Sequence, residues 1–154
     1  MGQTFDRRSV LSYGVAGAAS AVFLGASSSS YAATTGFKAD LKSSSEVPPN
    51  ATTGTGTVTA TFDPATKILT WNGTYTGLSG DPTAAHFHGP AEVGKNAGVA
   101  IFISTKGAPF TSPFSGSATL TDAQASDLMA GLWYTNIHTA ANPGGEVRGQ
   151  VMKS

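Results

Sequence analysis

Three histidines, His86, His88 and His138, are the residues of this chain whose type and spacing could do chemistry. His86 and His88 are two residues apart in a short segment typical of a β-strand. Residues two apart on a strand point to the same face, so both imidazoles can bind one ion while Phe87 points to the opposite face. This spacing therefore predicts a bidentate chelate, and the alternative is a pair of solvated strand histidines.

The third histidine favours the metal interpretation. Tyr134, Asn136 and His138 alternate along another predicted strand and share one face. If that strand neighbours the first, His138 completes a site of three imidazoles, with an open position for water or substrate. Neutral imidazoles suit copper, zinc or iron, whereas calcium and magnesium prefer oxygen ligands. We expect one copper ion per chain and rank zinc or iron after it. Zinc hydrolysis also ranks lower, because no glutamate accompanies the histidines as in helical zinc proteases.

Arg148 is the candidate catalytic residue. It is one of three arginines, and the other two, Arg7 and Arg8, lie near the N-terminus. A guanidinium close in sequence to a metal ligand could guide a small anion to the open coordination position. The alternative is a structural ion pair with Glu146 or Glu92, and Glu146 shares a strand face with Arg148.

Short strands must position these side chains. The chain has 19 glycines and short alternating segments, which indicate strands joined by tight turns. We predict an all-β fold, a two-sheet antiparallel β-sandwich of about eight strands with one short crossover helix. The predicted strands span 37–42, 58–62, 69–75, 84–88, 99–103, 115–120, 133–139 and 146–152.

The predicted helix has clear ends. Thr121 can cap its N-terminus, Gln124 stands at the capping-box position, and Gly131 can end it. Leu128 and Met129 would supply its apolar surface.

Charge and composition exclude several function classes. Nine basic and nine acidic residues give zero net charge, so neither a nucleic-acid footprint nor a polybasic membrane patch is supported. The chain has no cysteine, which excludes disulfides, thiolate zinc sites, iron–sulfur clusters and cysteine nucleophiles.

The N-terminal segment differs from the rest of the chain. Arg7 and Arg8 precede an apolar stretch over 10–26, and small residues around Ala32 offer a cleavage site. Residues 1–32 resemble a twin-arginine-type signal peptide, which implies a periplasmic or secreted protein without a stable membrane span after cleavage. Residues 33–154 then form a single domain.

Two long motifs carry a family resemblance. The segment 85–91, Ala-His-Phe-His-Gly-Pro-Ala, and the segment 132–150, from Leu-Trp-Tyr-Thr-Asn-Ile-His to Glu-Val-Arg-Gly-Gln, resemble the CHRD domain family. The likeness covers about Phe37 to Val151 and includes Glu-Val-Pro-Pro at 46–49. Membership implies a β-sandwich in an extracytoplasmic setting, but fold analogy does not settle an activity.

The histidines also resemble the copper site of Cu,Zn superoxide dismutases. That resemblance implies that His86, His88 and His138 hold copper and that Arg148 attracts superoxide. The bridging histidine, the zinc ligands and the disulfide cysteines have no counterpart here, which leaves a copper-only site. We therefore expect an exported copper-binding protein that dismutates superoxide. The alternatives are a non-catalytic binding module and a copper storage or delivery protein, and the sequence leaves a homo-oligomer open.

Overall fold

The computed structural model describes residues 1–2 and 33–154, except 106 and 109. All the described strands and helices lie in a compact unit that runs from Tyr31 to Ser154. Nearly all of the signal peptide predicted at 1–32 lies outside the described residues. No helix among the described residues is long and apolar enough to cross a membrane.

Nine strands and one α-helix make up the described fold, and the all-β prediction is confirmed. In chain order the strands are β1 Thr35–Lys42, β2 Thr55–Asp63, β3 Ile68–Thr76, β4 Pro82–His88, β5 Val99–Ser104, β6 Phe114–Thr119, β7 Tyr134–Thr139, β8 Val147–Gln150 and β9 Met152–Lys153. The helix α1 spans Asp122–Met129, and a single 3-10 turn spans Ser43–Ser45. Each predicted strand is present, and the last one is observed as two pieces, β8 and β9.

The hairpin of β2 and β3 shows how local sequence builds these strands. Apolar and polar residues alternate, so that Val58 and Phe62 are buried while the residues between them face outward or are small. The connecting turn is held by Asp63, whose carboxylate accepts hydrogen bonds from the Ala65 amide at 2.8 Å and the Thr66 hydroxyl at 2.9 Å. Such an Asx turn explains the tight return of the chain.

The strands form one continuous antiparallel sheet in the order β5-β4-β7-β8-β1-β2-β3-β6, with β9 also paired to β1. The expected pair of separate sheets is not confirmed. The reason lies in β8, which pairs with β7 along one edge and with β1 through Lys42 and Arg148 on the other. One strand therefore joins the two halves of the molecule.

The sheet curves until its two halves face each other across the hydrophobic core. Trp71 of β3 meets Phe87 of β4 edge to face, with ring centroids 5.3 Å apart, although their strands are far apart in the sheet order. The end strands β5 and β6 also lie close together, so the sheet approaches a barrel. Phe87 and Trp133 are fully buried in this core.

Helix α1 begins and ends where the sequence predicts. The Thr121 hydroxyl accepts a hydrogen bond from the Gln124 amide at 3.2 Å, and the Gln124 side chain accepts one from the Thr121 amide at 2.9 Å. Gly131 follows the helix at φ 75°, a conformation that favours glycine. Leu128 packs into the core, whereas Met129 remains partly exposed. The helix connects β6 to β7, two strands that are not neighbours, and so is the predicted crossover.

Candidate metal centre

The three histidines converge on the outer face of the sheet, away from the core. Strands β4 and β7 are antiparallel neighbours, with His86 opposite Asn136 and His138 opposite Ala84. Phe87, which lies between His86 and His88 in β4, points inward to the core, as predicted. One potential ligand nitrogen from each histidine lies within 4.8 Å of the others. The predicted convergence of the two strand segments is therefore confirmed.

The ring nitrogens of His86 and His138 are nearest to each other. His86 Nδ1 lies 3.1 Å from His138 Nε2. His138 Nδ1 lies 3.0 Å from the carbonyl oxygen of Pro143. Because a carbonyl only accepts, Nδ1 of His138 carries the proton and its Nε2 keeps a lone pair. A backbone carbonyl that orients a histidine in this way is typical of the outer shell of metal sites.

His88 is held more tightly than the other two histidines, with a side chain that is 8% exposed. Its Nδ1 lies 3.0 Å from the carbonyl oxygen of Ala97, and its Nε2 lies 3.0 Å from Oδ1 of Asn136. The imidazole also stacks on the Tyr134 ring at a centroid distance of 4.7 Å. These contacts fix the ring plane before any ion arrives.

Burial keeps the three imidazoles in the form that binds metals. The pKa of His86 is lowered to about 4, mainly by desolvation and in smaller part by the nearby His138 and His88. Desolvation is also the main cause of the lowered pKa of His88 and of His138. All three rings are therefore neutral at neutral pH, as metal ligation requires.

Arg148 lies beside this cluster, but its side chain is only 2% exposed. Its Nη1 donates a hydrogen bond to Oδ1 of Asn96 at 2.8 Å, and its Nη2 donates to the carbonyl of Lys95. The guanidinium carbon lies 3.4 Å from the centre of the Tyr134 ring, the same ring on which His88 stacks. Arg148 thus anchors the 95–96 loop and the aromatic support of His88. Its role in attracting an anion stays a prediction.

The ion pair considered for Arg148 is not found among the described residues. Their salt bridges join Lys38 to Asp40 and Lys67 to Asp122. Glu146 is fully buried and instead accepts hydrogen bonds from the Ser79 hydroxyl at 2.6 Å and the Thr139 hydroxyl at 2.6 Å. It thereby ties the loop after β3 to the end of β7, next to His138.

Glu46 is the site residue that the sequence reasoning missed. It is 5% exposed, and its Oε1 has no hydrogen-bond partner among the described residues. The pKa of Glu46 is raised to about 7, because desolvation outweighs the lowering effects of the Arg148 charge and the nearby Asn136 amide. The only sequence signal was its place in the Glu-Val-Pro-Pro segment of the family resemblance. Neither periodicity nor spacing links a loop residue at 46 to a strand residue at 136.

Gly145 allows this close approach. It adopts φ 132°, which favours glycine, and an added Cβ would overlap Oε1 of Glu46 and lie 2.7 Å from Nδ2 of Asn136. The carboxyl of Glu46 and the amide NH₂ of Asn136 therefore both border the space beside Gly145 that a side chain would fill. This proximity brings the 46–49 loop next to the strand that carries His138.

A comparison with known protein families supports the family resemblance that the sequence motifs indicate. The family model of the CHRD domain matches residues 37–151, which include all but the first two residues of β1, the strands β2 through β8 and all three histidines. No curated protein matches the chain, and no solved structure matches it. The matched region covers most of the chain, and the protein belongs to the CHRD domain family.

Proposed function

We propose that this protein binds one copper ion through His86, His88 and His138 in an extracytoplasmic setting, and that the copper-loaded site dismutates superoxide. The observation that carries the proposal is the presence of three ring nitrogens within 4.8 Å of one another on two paired strands. Such nitrogens are the ligands that copper, zinc and iron share, and copper is our first choice among them.

The spacing of the imidazoles supports metal entry with little movement. In a tetrahedral shell with metal–nitrogen bonds of about 2.0–2.1 Å, two ligand nitrogens lie about 3.3 Å apart. His86 Nδ1 and His138 Nε2 already lie 3.1 Å apart. For His86 to bind an ion through Nδ1 and stay neutral, its proton would move to Nε2 by exchange with solvent. The site would then lose one hydrogen bond and gain two coordinate bonds.

Three protein ligands leave a coordination position for a small anion. His86 and His138 are half-buried, so the cluster reaches the surface of the sheet. A copper ion supplies one-electron redox chemistry, and dismutation turns two superoxide anions and two protons into one dioxygen and one hydrogen peroxide. Arg148 adds a fixed positive charge next to the cluster, and because it is buried, this charge acts through its field rather than by direct contact.

Metal content and activity test the proposal separately. The full chain, purified without an affinity tag, is analysed for bound metal and titrated with copper, and superoxide decay on the loaded protein is followed by pulse radiolysis. One tightly bound copper per chain and rapid decay are expected. Copper binding without dismutation would leave a storage or delivery protein, and absence of tight metal binding would leave a non-catalytic binding module.

Export is a separate part of the proposal. It is supported by the paired arginines, Arg7 and Arg8, before an apolar segment. The variant Arg7→Lys/Arg8→Lys should leave the precursor in the cytoplasm, as measured by cell fractionation. Normal export of this variant would contradict a twin-arginine route.

A further inference from the structure

Asn136 lies at the centre of the three histidines on the outer face of the sheet. It pairs with His86 across β4 and β7, and it stands two residues before His138 on β7, so these side chains share one face. Its Oδ1 lies 3.0 Å from Nε2 of His88. Each of the three candidate ligands is therefore a direct neighbour of this one amide.

His88 has an acceptor beside each ring nitrogen. The carbonyl oxygen of Ala97 lies 3.0 Å from Nδ1, and Oδ1 of Asn136 lies 3.0 Å from Nε2. A neutral imidazole has one N–H group, so it can donate a hydrogen bond to only one of these two oxygens. The other nitrogen turns its lone pair toward an oxygen lone pair. In a buried place this arrangement is costly, and a cation bound to both atoms would stabilise it.

Nε2 is the nitrogen of His88 that a cation can use. Donation from Nδ1 to the Ala97 carbonyl repeats the arrangement at His138, whose Nδ1 donates to the Pro143 carbonyl at 3.0 Å. Backbone carbonyls commonly hold metal-binding histidines in this way. Nε2 then faces Asn136, the residue that neighbours the other two histidines, and its lone pair and Oδ1 border the same space.

The spacing of these atoms fits one coordination shell. Two ligand atoms about 2.0–2.1 Å from an ion lie about 2.9 Å apart at a right angle and about 3.3 Å apart at a tetrahedral angle. Nε2 of His88 and Oδ1 of Asn136 are 3.0 Å apart. Nδ1 of His86 and Nε2 of His138 are 3.1 Å apart. Both pairs fall within this range, and angles near 90° are typical of Cu(II) sites with nitrogen and oxygen ligands.

We propose that Oδ1 of Asn136 is a fourth ligand of the metal, beside the three histidines. The inference deepens the proposed function and rests on it, because it concerns the same ion. Asn136 is only 3% exposed, so bulk water has little access to compete with its oxygen. Copper prefers imidazole to a carbonyl oxygen, so this ligand is the weakest of the four and the one that an incoming anion would displace.

Carbon-13 hyperfine spectroscopy of the copper-loaded wild type tests the ligand directly. The full chain is produced with ¹³Cγ-labelled asparagine, loaded with one equivalent of Cu(II) and examined by electron–nuclear double resonance. A carbonyl oxygen bound to copper carries unpaired spin to its carbon, so an isotropic ¹³C coupling is expected. It should be lost in Asn136→Leu, while nitrogen couplings from the same sample report the histidines.

Substitutions at Asn136 separate a ligand from a hydrogen-bond partner. Asn136→Leu keeps the size but removes the oxygen, and copper should bind at least about 10-fold more weakly, the low end of the loss for groups around a metal. Asn136→Asp places a charged oxygen at the same point and should bind copper at least as tightly as the wild type in isothermal titration. If Asn136 only held a proton on Nε2 of His88, the stronger acceptor in Asn136→Asp would weaken copper binding instead.

The matched controls are Asn72→Leu and Asn72→Asp, at an exposed position of β3 far from the site in the strand order, and neither should change copper affinity.

Two results would overturn the inference: copper held by histidine nitrogens without an isotropic ¹³C coupling, or weaker copper binding by a folded Asn136→Asp protein than by the wild type. The wild-type spectrum decides alone if no variant folds, because Asn136 is the asparagine whose side chain contacts the cluster. Absence of tight copper binding to the wild type would overturn the proposed function and, with it, the fourth ligand.

Discussion

His86 Nδ1 and His138 Nε2 lie 3.1 Å apart, although 52 residues separate the two histidines along the chain. They are not directly opposite each other, since His86 pairs with Asn136 and His138 pairs with Ala84. The two histidines are thus diagonal neighbours on one face of the sheet. The Cβ atoms of such neighbours lie about 7 Å apart, a distance that two imidazole side chains can span. The diagonal leaves room for an ion between the rings.

This geometry predicts that each histidine contributes to copper affinity. Changing His138 to alanine removes one ligand and opens the site on the side of Pro143, and it should weaken copper binding by at least about 100-fold, the upper end of the loss seen for outer-shell partners. The double variant His86→Ala/His88→Ala should bind no copper tightly. Isothermal titration measures both effects.

The control for these variants is Asn72→Ala, an exposed substitution on β3 that is far from the site in the strand order. Circular dichroism shows whether each variant keeps its β-structure. If a folded double variant retained wild-type copper affinity, the three histidines would not be the ligands.

Local patterns explain why so much of the fold and the histidine cluster could be predicted. Alternation of apolar and polar residues decides which face of a strand is buried, and it placed Phe87 in the core and both flanking histidines outside. The start of helix α1 could also be predicted, because a capping box depends only on two nearby residues, Thr121 and Gln124.

Features that depend on distant contacts were not predicted. The burial of Arg148 depends on its hydrogen bonds to Lys95 and Asn96 in a loop. Loops have no periodic sequence pattern from which these contacts could be predicted. The single sheet depends on one bridge between Lys42 and Arg148, which no turn or pattern encodes. Glu46 lies near Asn136, which is distant in sequence, and no local pattern encodes this proximity.

Arg148 should affect stability and, if the site is catalytic, the encounter with superoxide. The variant Arg148→Met leaves the Lys95 carbonyl and the Asn96 side chain without their donor, and it should lower the free energy of unfolding by about 1–3 kcal/mol. Copper should remain bound. Dismutation should slow by about 10-fold, the low end of steering effects, since the charge is buried, and the loss should shrink with added salt.

Arg148→Lys separates charge from hydrogen-bond geometry, because lysine keeps the charge but not the planar donor fork. The Arg148→Lys protein should be less stable than the wild type. At low salt it should nevertheless dismutate superoxide faster than Arg148→Met. Lys153→Met removes an exposed charge from β9 and serves as the control. Equal rates for Arg148→Met and wild type, measured by pulse radiolysis across a salt series, would limit Arg148 to a structural role.

Glu46 should make the protein less stable as the pH rises through the neutral range. Its pKa is about 7 in the folded protein against an ordinary 4.5, so the folded state binds more protons than the unfolded state between these values. Stability then falls as pH rises from 4.5 to about 7, by about 3 kcal/mol at 1.36 kcal/mol for each pH unit. Arg148 is the charged group that faces the carboxyl and limits this loss.

Denaturant unfolding of the wild type and of Glu46→Gln at several pH values measures the effect. The lowered pKa values of the histidines act in the opposite direction, and subtracting the variant from the wild type removes their contribution. The variant should become the more stable protein above pH 7. A difference between the two proteins that does not change with pH would show that Glu46 titrates normally.

The last prediction concerns the glycine that brings Glu46 to Asn136. Gly145 has φ 132°, and an added Cβ would overlap Oε1 of Glu46, so Gly145→Ala combines backbone strain with a steric clash in a buried place. Strain of this kind costs about 1–3 kcal/mol, and the displaced carboxyl should also free the Asn136 amide. Gly144→Ala is the matched control, because an added Cβ there meets nothing within 4 Å. Denaturant unfolding and copper titration should show losses of stability and affinity for Gly145→Ala only, and equal behaviour of the two variants would mean that the contact between Glu46 and Asn136 does not hold the site together.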